Sequence, residues 1–348
     1  MGGMRTGNRK AAAALVVLTP LVAELSLGST PVRMAWLLLL WLPIYGAGVL
    51  LIRECVRRVG GGWPSLLLLG VAYELLEDGI GLQALTSPHL YGAAHEAPRV
   101  LGFNSVYWES NLVYHIVFSV FIPIMLTDLL FPSHRDRPYL KRTGLVITGV
   151  VAALGVGLVR VSVPPSQDPG YAVPLPLLAG YLVAVAVLAV LALRVLPRRP
   201  RPAPVPDAER LPAPRPWVAG LGGAAGTLAF ILLTIPFGGA RQPAFTHGAW
   251  AFLPMAVAAV VAVGMLLLIR HRVRTTAWTD QTTIGLITGA LLAHTFAGVL
   301  VFGDDPVEQA GLELMAGMTL CLMLALGRRV RGRAAASLSR SSGSPTTP

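Results

Sequence analysis

Glu74, Glu77 and Asp78 lie in the middle of an apolar stretch, 63–85, that is long enough to cross a bilayer. Spaced by three and four residues, they share one face of a helix. Charged side chains at hydrocarbon depth are costly unless they face a protein interior or a hydrated cavity, and they mark function for that reason. Carboxylates crowded in a low dielectric cannot all ionise together, so the group supplies a proton donor and an acceptor at one place. The next apolar stretch, 107–131, runs back the other way with Trp108, Asn111, His115 and Ser119 at spacings of three, four and four. That is a polar stripe along one helix face, and it is expected to meet the acidic one. Glu24, His294 and Glu313 fall at comparable depths in other apolar segments.

These residue types suit hydrolysis of a lipid-phase or small-molecule substrate. Glu74 or Glu77 would act as general base on water, His115 as its acid or electrophilic partner, and Asn111 as hydrogen-bond donor to an oxyanion, with Asp78 completing the acidic group. Glu24, Trp108, Ser119 and His294 would line the substrate. No cofactor is required by this scheme. A divalent metal is the variant, with His115, Glu77 and His294 as ligands, although no H-E-x-x-H spacing is present. The same acids and His115 could instead relay protons in a coupled transporter or exporter, with Pro20 and Pro123 kinking the path. Against that reading, the polar residues stop in the outer half of the bilayer and Asp128 alone continues inward. A non-catalytic membrane partner or sensor, its acids holding helices together, is a third class.

Individual residues also have plainer readings. His294, flanked by Ala and Thr, reads as interhelical glue. Glu109 and Glu313 lie close enough to an interface to be solvated. Asp128 and the Arg53-Glu54 pair sit at helix ends, where local pairing or snorkelling accounts for them, and Glu24 has Arg33 as a candidate partner. P-loop and dinucleotide-binding signatures are absent.

The scaffold follows from composition. With 54% hydrophobic and only 13% charged residues, the 348-residue chain is too apolar for a soluble domain. Ten spans are predicted, at 11–28, 34–52, 63–85, 107–131, 143–163, 173–196, 217–236, 248–269, 282–302 and 308–327, giving an all-α polytopic bundle. With the N-terminus placed inside, 24 of the 28 Lys and Arg residues fall on inner segments, as the positive-inside rule requires. The net charge of +11 therefore reports orientation in the cell membrane, with both termini cytoplasmic, and no nucleic-acid partner is expected. Glu24, Pro20 and the lack of an A-x-A site favour a retained first helix over a signal peptide. Cys55 and Cys321 both fall toward the reducing side.

A six-helix block, 1–196, is expected to carry the polar site. A Pro- and Arg-rich linker, 197–216, joins it to a four-helix block, 217–327, followed by a disordered tail, 328–348. The connection from Leu85 to Tyr107 is long enough to cap the site from outside. Gly222 with Gly226, and Gly285 with Gly289, read as close helix packing.

An acidic pair on one span followed by a histidine on the next, here Glu77-Asp78 and His115, resembles the CPBP intramembrane proteases, the group that includes the CAAX prenyl endopeptidases. The resemblance implies water activated within the membrane by acids and histidines. It covers two helices and departs from the family at Leu82 (Arg expected), at Asn111 (Phe expected), and at Ser119 and Gly298 (Asn or Asp expected). More broadly, Tyr45-Gly46-Ala47-Gly48, Arg53-Glu54, the acidic helix, His115 and Phe131-Pro132 resemble a set of uncharacterised actinobacterial multi-pass proteins.

Overall fold

The computed structural model describes residues 8–199, 206, 209–234, 248–303 and 305–342. Ten long helical segments follow one another there, with short 3-10 turns at Leu90–His95 and Pro132–His134 between them, and no strand is formed among the described residues. They are α1 (9–25), α2 (Val32–Arg58), α3 (63–81), α4 (Ser105–Leu130), α5 (Arg142–Gln167), α6 (Leu175–Arg198), α7 (Pro216–Thr234), α8 (Gly248–Thr275), α9 (Asp280–Phe302) and α10 (Pro306–Ser342). Eight are long and apolar enough to cross a membrane. The other two are α1, the shortest, and α3, whose apolar run holds the three acids. Leu-, Val- and Ala-rich runs form helices here because a helix satisfies every backbone group internally, which lipid demands. The ends are set locally. Asn8 accepts hydrogen bonds from the N–H groups of Lys10 and Ala11 at 3.1 and 3.2 Å, Thr279 accepts one from Thr282 N–H at 3.1 Å, and Pro64 and Pro216 occupy first turns.

α4 is the central helix. Its apolar window is 61% buried and that of α9 is 50%, against 11% for α6 and α8, so the latter two are peripheral. One face of α4, with Val120 and Ile124, packs into a core shared with Leu15, Val49, Leu66 and Tyr73. Phe118, Ile122 and Leu126 pack into a second core with Ile284, Ile287, Leu291 and Met323. The helix bearing His115 is thus held between α1–α3 and α9–α10.

Two glycine expectations need correcting in detail. Gly289 lies against the Gly220 carbonyl and Gly285 against that of Pro216, closer than any side chain permits. Gly222 has open space around it and Gly226 faces Met265, so α7 meets α9 through Gly220 and Gly223.

The C-terminal tail also departs from expectation, because α10 continues to Ser342. Arg333 donates to the carbonyls of Leu129 and Leu130 at 3.2 and 3.4 Å, and Ala334-Ala335-Ala336 favours helix, so the extension is anchored where composition alone predicts disorder. Residues 343–348, and part of the predicted linker (200–205, 207 and 208), lie outside the described residues.

The connection from Leu82 to Asn104 folds back onto the bundle. Ser87 donates to Asp168 at 2.5 Å, Asn104 Nδ2 to the carbonyls of Ala84 and Ser87 at 2.7 and 2.8 Å, and Arg99 to that of Thr86 at 2.6 Å. Within it, burial raises the Glu96 carboxyl from 4.5 to about 7. The folded chain therefore keeps a proton that the unfolded chain has lost between those values, so stability falls as pH rises through that window. Thermal unfolding in nanodiscs should decline from about pH 4.5 to about pH 7 in the wild type, and Glu96→Gln should flatten the slope. An identical slope in Glu96→Gln would assign the dependence to another group.

Candidate functional site

His115 of α4 stands between the three acids of α3. Its Nε2 lies 3.5 Å from Glu74 and 3.4 Å from Asp78, its Nδ1 lies 3.6 Å from Glu77, and Nδ1 is also 3.0 Å from the Ser119 hydroxyl one turn on. All five residues are buried, between 0 and 3% exposed. Both oxygens of Glu74, one of Glu77 and one of Asp78 accept no hydrogen bond from the protein. Among the described residues, the ion pairs made by these acids are all with His115. Buried carboxylates so poorly partnered are expensive, and they are retained where their chemistry is used.

Local backbone structure places them. Four helices change from α to π winding at the cluster: α1 over Leu21–Leu25, α2 over Leu42–Ala47, α3 over Leu75–Gly81 and α4 over His115–Phe121. Those four turns carry Glu24, Tyr45, the pair Glu77 and Asp78, and the pair His115 and Ser119. Each π turn inserts a residue and re-aims the side chains that follow, a feature common at functional sites.

Four tyrosines, which the sequence pattern does not single out, complete the surroundings. The rings of Tyr45, Tyr73 and Tyr114 lie 6.1, 5.4 and 5.7 Å from the His115 ring. Tyr107 donates to Asp78 at 3.2 Å and stacks on Tyr91 of the folded-back connection, which links that connection to the acids. The Tyr73 hydroxyl is buried beside Glu77 and makes no hydrogen bond of good geometry. Signals were available: Tyr73 directly precedes Glu74, and Tyr107, Asn111 and Tyr114 recur at helical spacing.

The remaining nominated residues are held elsewhere. Asn111 donates to the Tyr107 carbonyl of its own helix at 3.0 Å, which takes its amide away from the acids. Trp108 stacks on Phe103 at 5.1 Å in an apolar cluster with Tyr181. Glu24 accepts hydrogen bonds from Tyr45, Thr30 and Ser29 at 2.5, 2.8 and 3.0 Å, and reaches His115 only through the Tyr45 ring. Arg33 pairs instead with Asp305 and Glu308 at 3.3 and 3.4 Å. His294 meets the Ser26 hydroxyl at 3.2 Å and that of Tyr114 at 3.1 Å, and stacks on Phe118 at 4.1 Å. Both of its ring nitrogens are therefore engaged, so the ligand set of His115, Glu77 and His294 is not assembled. Ligand atoms of Glu74, Asp78 and His115 do fall together, within 4.8 Å of one another.

A second polar centre lies toward the basic ends of the same helices. Arg53, fully buried, donates from Nε and Nη2 to Asp128 Oδ1 at 3.2 and 2.8 Å, and to the carbonyls of His134, Arg135 and Arg137. Its guanidinium covers the Tyr139 ring at 3.4 Å. Glu54 accepts from the N–H groups of Tyr139 and Leu140 at 2.5 and 3.0 Å. Snorkelling is thus excluded for Arg53, whose charge turns inward to tie α2 to α4 and to the connection that follows. From Tyr45 to Arg53, and from His115 to Asp128, the helical rise separates the two centres by about 12–20 Å.

No curated protein and no solved structure matches the chain. One family profile does, over residues 13–340, from the first turns of α1 almost to the end of α10. By that match, the chain that folds this acid and histidine cluster into its bundle belongs to the Uncharacterized membrane protein family.

Proposed function

We propose that the protein is an intramembrane hydrolase of the cell membrane, with both termini cytoplasmic, acting on an ester or peptide carbonyl that enters from the lipid phase. The observation that carries the reading is the seating of His115 among Glu74, Glu77 and Asp78, with carboxylate oxygens that have no protein donor. A carboxylate takes a proton from water as the water oxygen adds to the carbonyl carbon, and the carbonyl electron pair moves onto oxygen. The Tyr73 hydroxyl, which makes no hydrogen bond of good geometry, would be the donor to that oxyanion in preference to Asn111, whose amide is held by its own helix. Collapse breaks the bond to the leaving alcohol or amine, which takes its proton from His115. The products are an acid and an alcohol or amine, and water is consumed. The likeness of Glu77-Asp78 and His115 to the CPBP proteases supports this reading, since both motifs lie at one site on adjacent helices.

A second reading, a proton-coupled carrier, is favoured by one observation: the acids are sealed from solvent while the Arg53 network closes the basic end. One reconstitution separates the two. Proteoliposomes are given a panel of fluorogenic lipid esters and quenched transmembrane peptides, and proton flux is followed in parallel under a pH gradient. The hydrolase reading expects cleavage that falls by about 10²–10⁴ in Glu74→Gln, the range attributed to general acid–base groups. Glu74-dependent proton flux without cleavage of any panel member would replace it with the carrier.

A further inference from the structure

We infer that Glu74, Asp78 and His115 form a binding site for one divalent first-row metal ion, zinc or manganese, buried between α3 and α4. The inference deepens the hydrolase reading and rests on it for its chemical purpose, though not for its geometry.

Distance is the first argument. At a tetrahedral zinc with bonds of about 2.0–2.2 Å, neighbouring ligand atoms sit roughly 3.3–3.6 Å apart. His115 Nε2 is 3.5 Å from Glu74 Oε2 and 3.4 Å from Asp78 Oδ2, too long for good hydrogen bonds and equal to that tetrahedral edge. All three ligand atoms fall within 4.8 Å of one another.

Partnering is the second argument. Glu74 is fully buried with both oxygens free of any protein donor, and the Asp78 oxygen that faces His115 is equally free, whereas its other oxygen accepts from Tyr107. Glu74 Oε2 and Asp78 Oδ2, both orphaned, are the oxygens that face His115 Nε2. Orientation of the ring agrees. Its Nδ1–H can donate to Ser119 at 3.0 Å, which leaves the Nε2 lone pair facing the carboxylates, as the supporting shell of a metal-bound histidine does.

Charge and ligand type make up the third argument. Two carboxylates and a divalent ion sum to zero, which resolves two buried negative charges that have no Lys or Arg ion-pair partner among the described residues. One nitrogen and two oxygens suit zinc or manganese better than the all-oxygen preference of calcium and magnesium. Three protein ligands leave a fourth position open for water, the arrangement of catalytic rather than structural zinc. Glu77 stays outside the ligand set, 3.6 Å from His115; with the metal bound, Glu77 in place of Glu74 would be the base, and Glu77 in place of the liganded His115 would return the proton to the leaving group.

The full chain, purified into lipid nanodiscs and stripped with EDTA, should bind one Zn²⁺ or one Mn²⁺ per chain. Affinity should fall at least about 100-fold in Glu74→Gln, Asp78→Asn and His115→Gln, fall about 10-fold in Ser119→Ala, and hold in His294→Gln. Wild-type protein loaded with Mn²⁺ should show one directly bound histidine nitrogen by pulsed EPR, a readout that needs no variant to fold. No stoichiometric binding by the wild type, no nitrogen coupling, or binding lost in His294→Gln but kept in Asp78→Asn would overturn the site. Cleavage that survives full chelation would overturn the metal while leaving the hydrolase, and stoichiometric binding with no cleavage would do the reverse.

Discussion

Asp128→Ala is expected to cost about 3–5 kcal/mol of stability, the penalty for removing one partner from a buried ion pair. Arg53 has no route to water, and its Nε and one of its Nη2 hydrogen bonds end on Asp128. The substitution also strips an acceptor from Tyr139 and the ion-pair partner from Arg57, 2.9 Å away. What remains near Arg53 is three carbonyl oxygens and Glu54 at 3.6 Å, and Glu54 is already occupied by two backbone N–H groups. Asp128→Asn keeps an acceptor and should lose less. Thermal unfolding in detergent micelles measures the series, and a loss below about 1 kcal/mol for Asp128→Ala would mean that the guanidinium finds solvent or another anion.

Glu74→Gln is expected to change stability in the opposite direction. Both Glu74 oxygens are buried without a donor, and an unmade hydrogen bond at such a group costs about 1–3 kcal/mol. An isosteric neutral amide can donate to Asp78, so the EDTA-stripped variant should unfold at a higher temperature than the stripped wild type, even as cleavage falls by about 10²–10⁴. Sites poised for chemistry commonly hold such destabilised groups. A purely structural acid would behave differently, since its removal would lower stability. Glu24→Gln provides the contrast: Glu24 accepts from three hydroxyls, and its replacement should destabilise. If Glu74→Gln lowers the unfolding temperature as Glu24→Gln does, the acids serve as glue and the catalytic assignment fails.

Much of this was legible in the chain because the bilayer narrows the choices. Long apolar runs allow only helices, so fold class follows from composition, and the three-and-four spacing of Glu74, Glu77 and Asp78 puts them on a face that has to meet something polar. His115 and Ser119 lie there for the same reason. Asn111 shares the stripe by spacing yet is not at the site, because its short amide finds a carbonyl four residues back, a local competitor that periodicity does not reveal. The tyrosines are hidden in the pattern because their rings count as apolar and only the hydroxyl betrays them. By its position at a helix end Arg53 reads as an interfacial residue. Its acceptors are carbonyls of a connection some eighty residues on, and that pairing is decided by tertiary structure alone. Gly298, which breaks the CPBP pattern, has a packing reason visible only in three dimensions: it lies against the Leu27 carbonyl, where no side chain fits.

The four π turns set a limit on how this chain can vary. Deleting a single residue within Leu75–Gly81 or His115–Phe121 would let ordinary α winding resume at almost no cost in backbone bonding and with the helix beyond still in phase, yet it would re-aim the acids or the histidine inside the turn. Insertions and deletions there are therefore filtered far more severely than substitutions, and family members should differ in length at their loops while keeping these four stretches residue for residue.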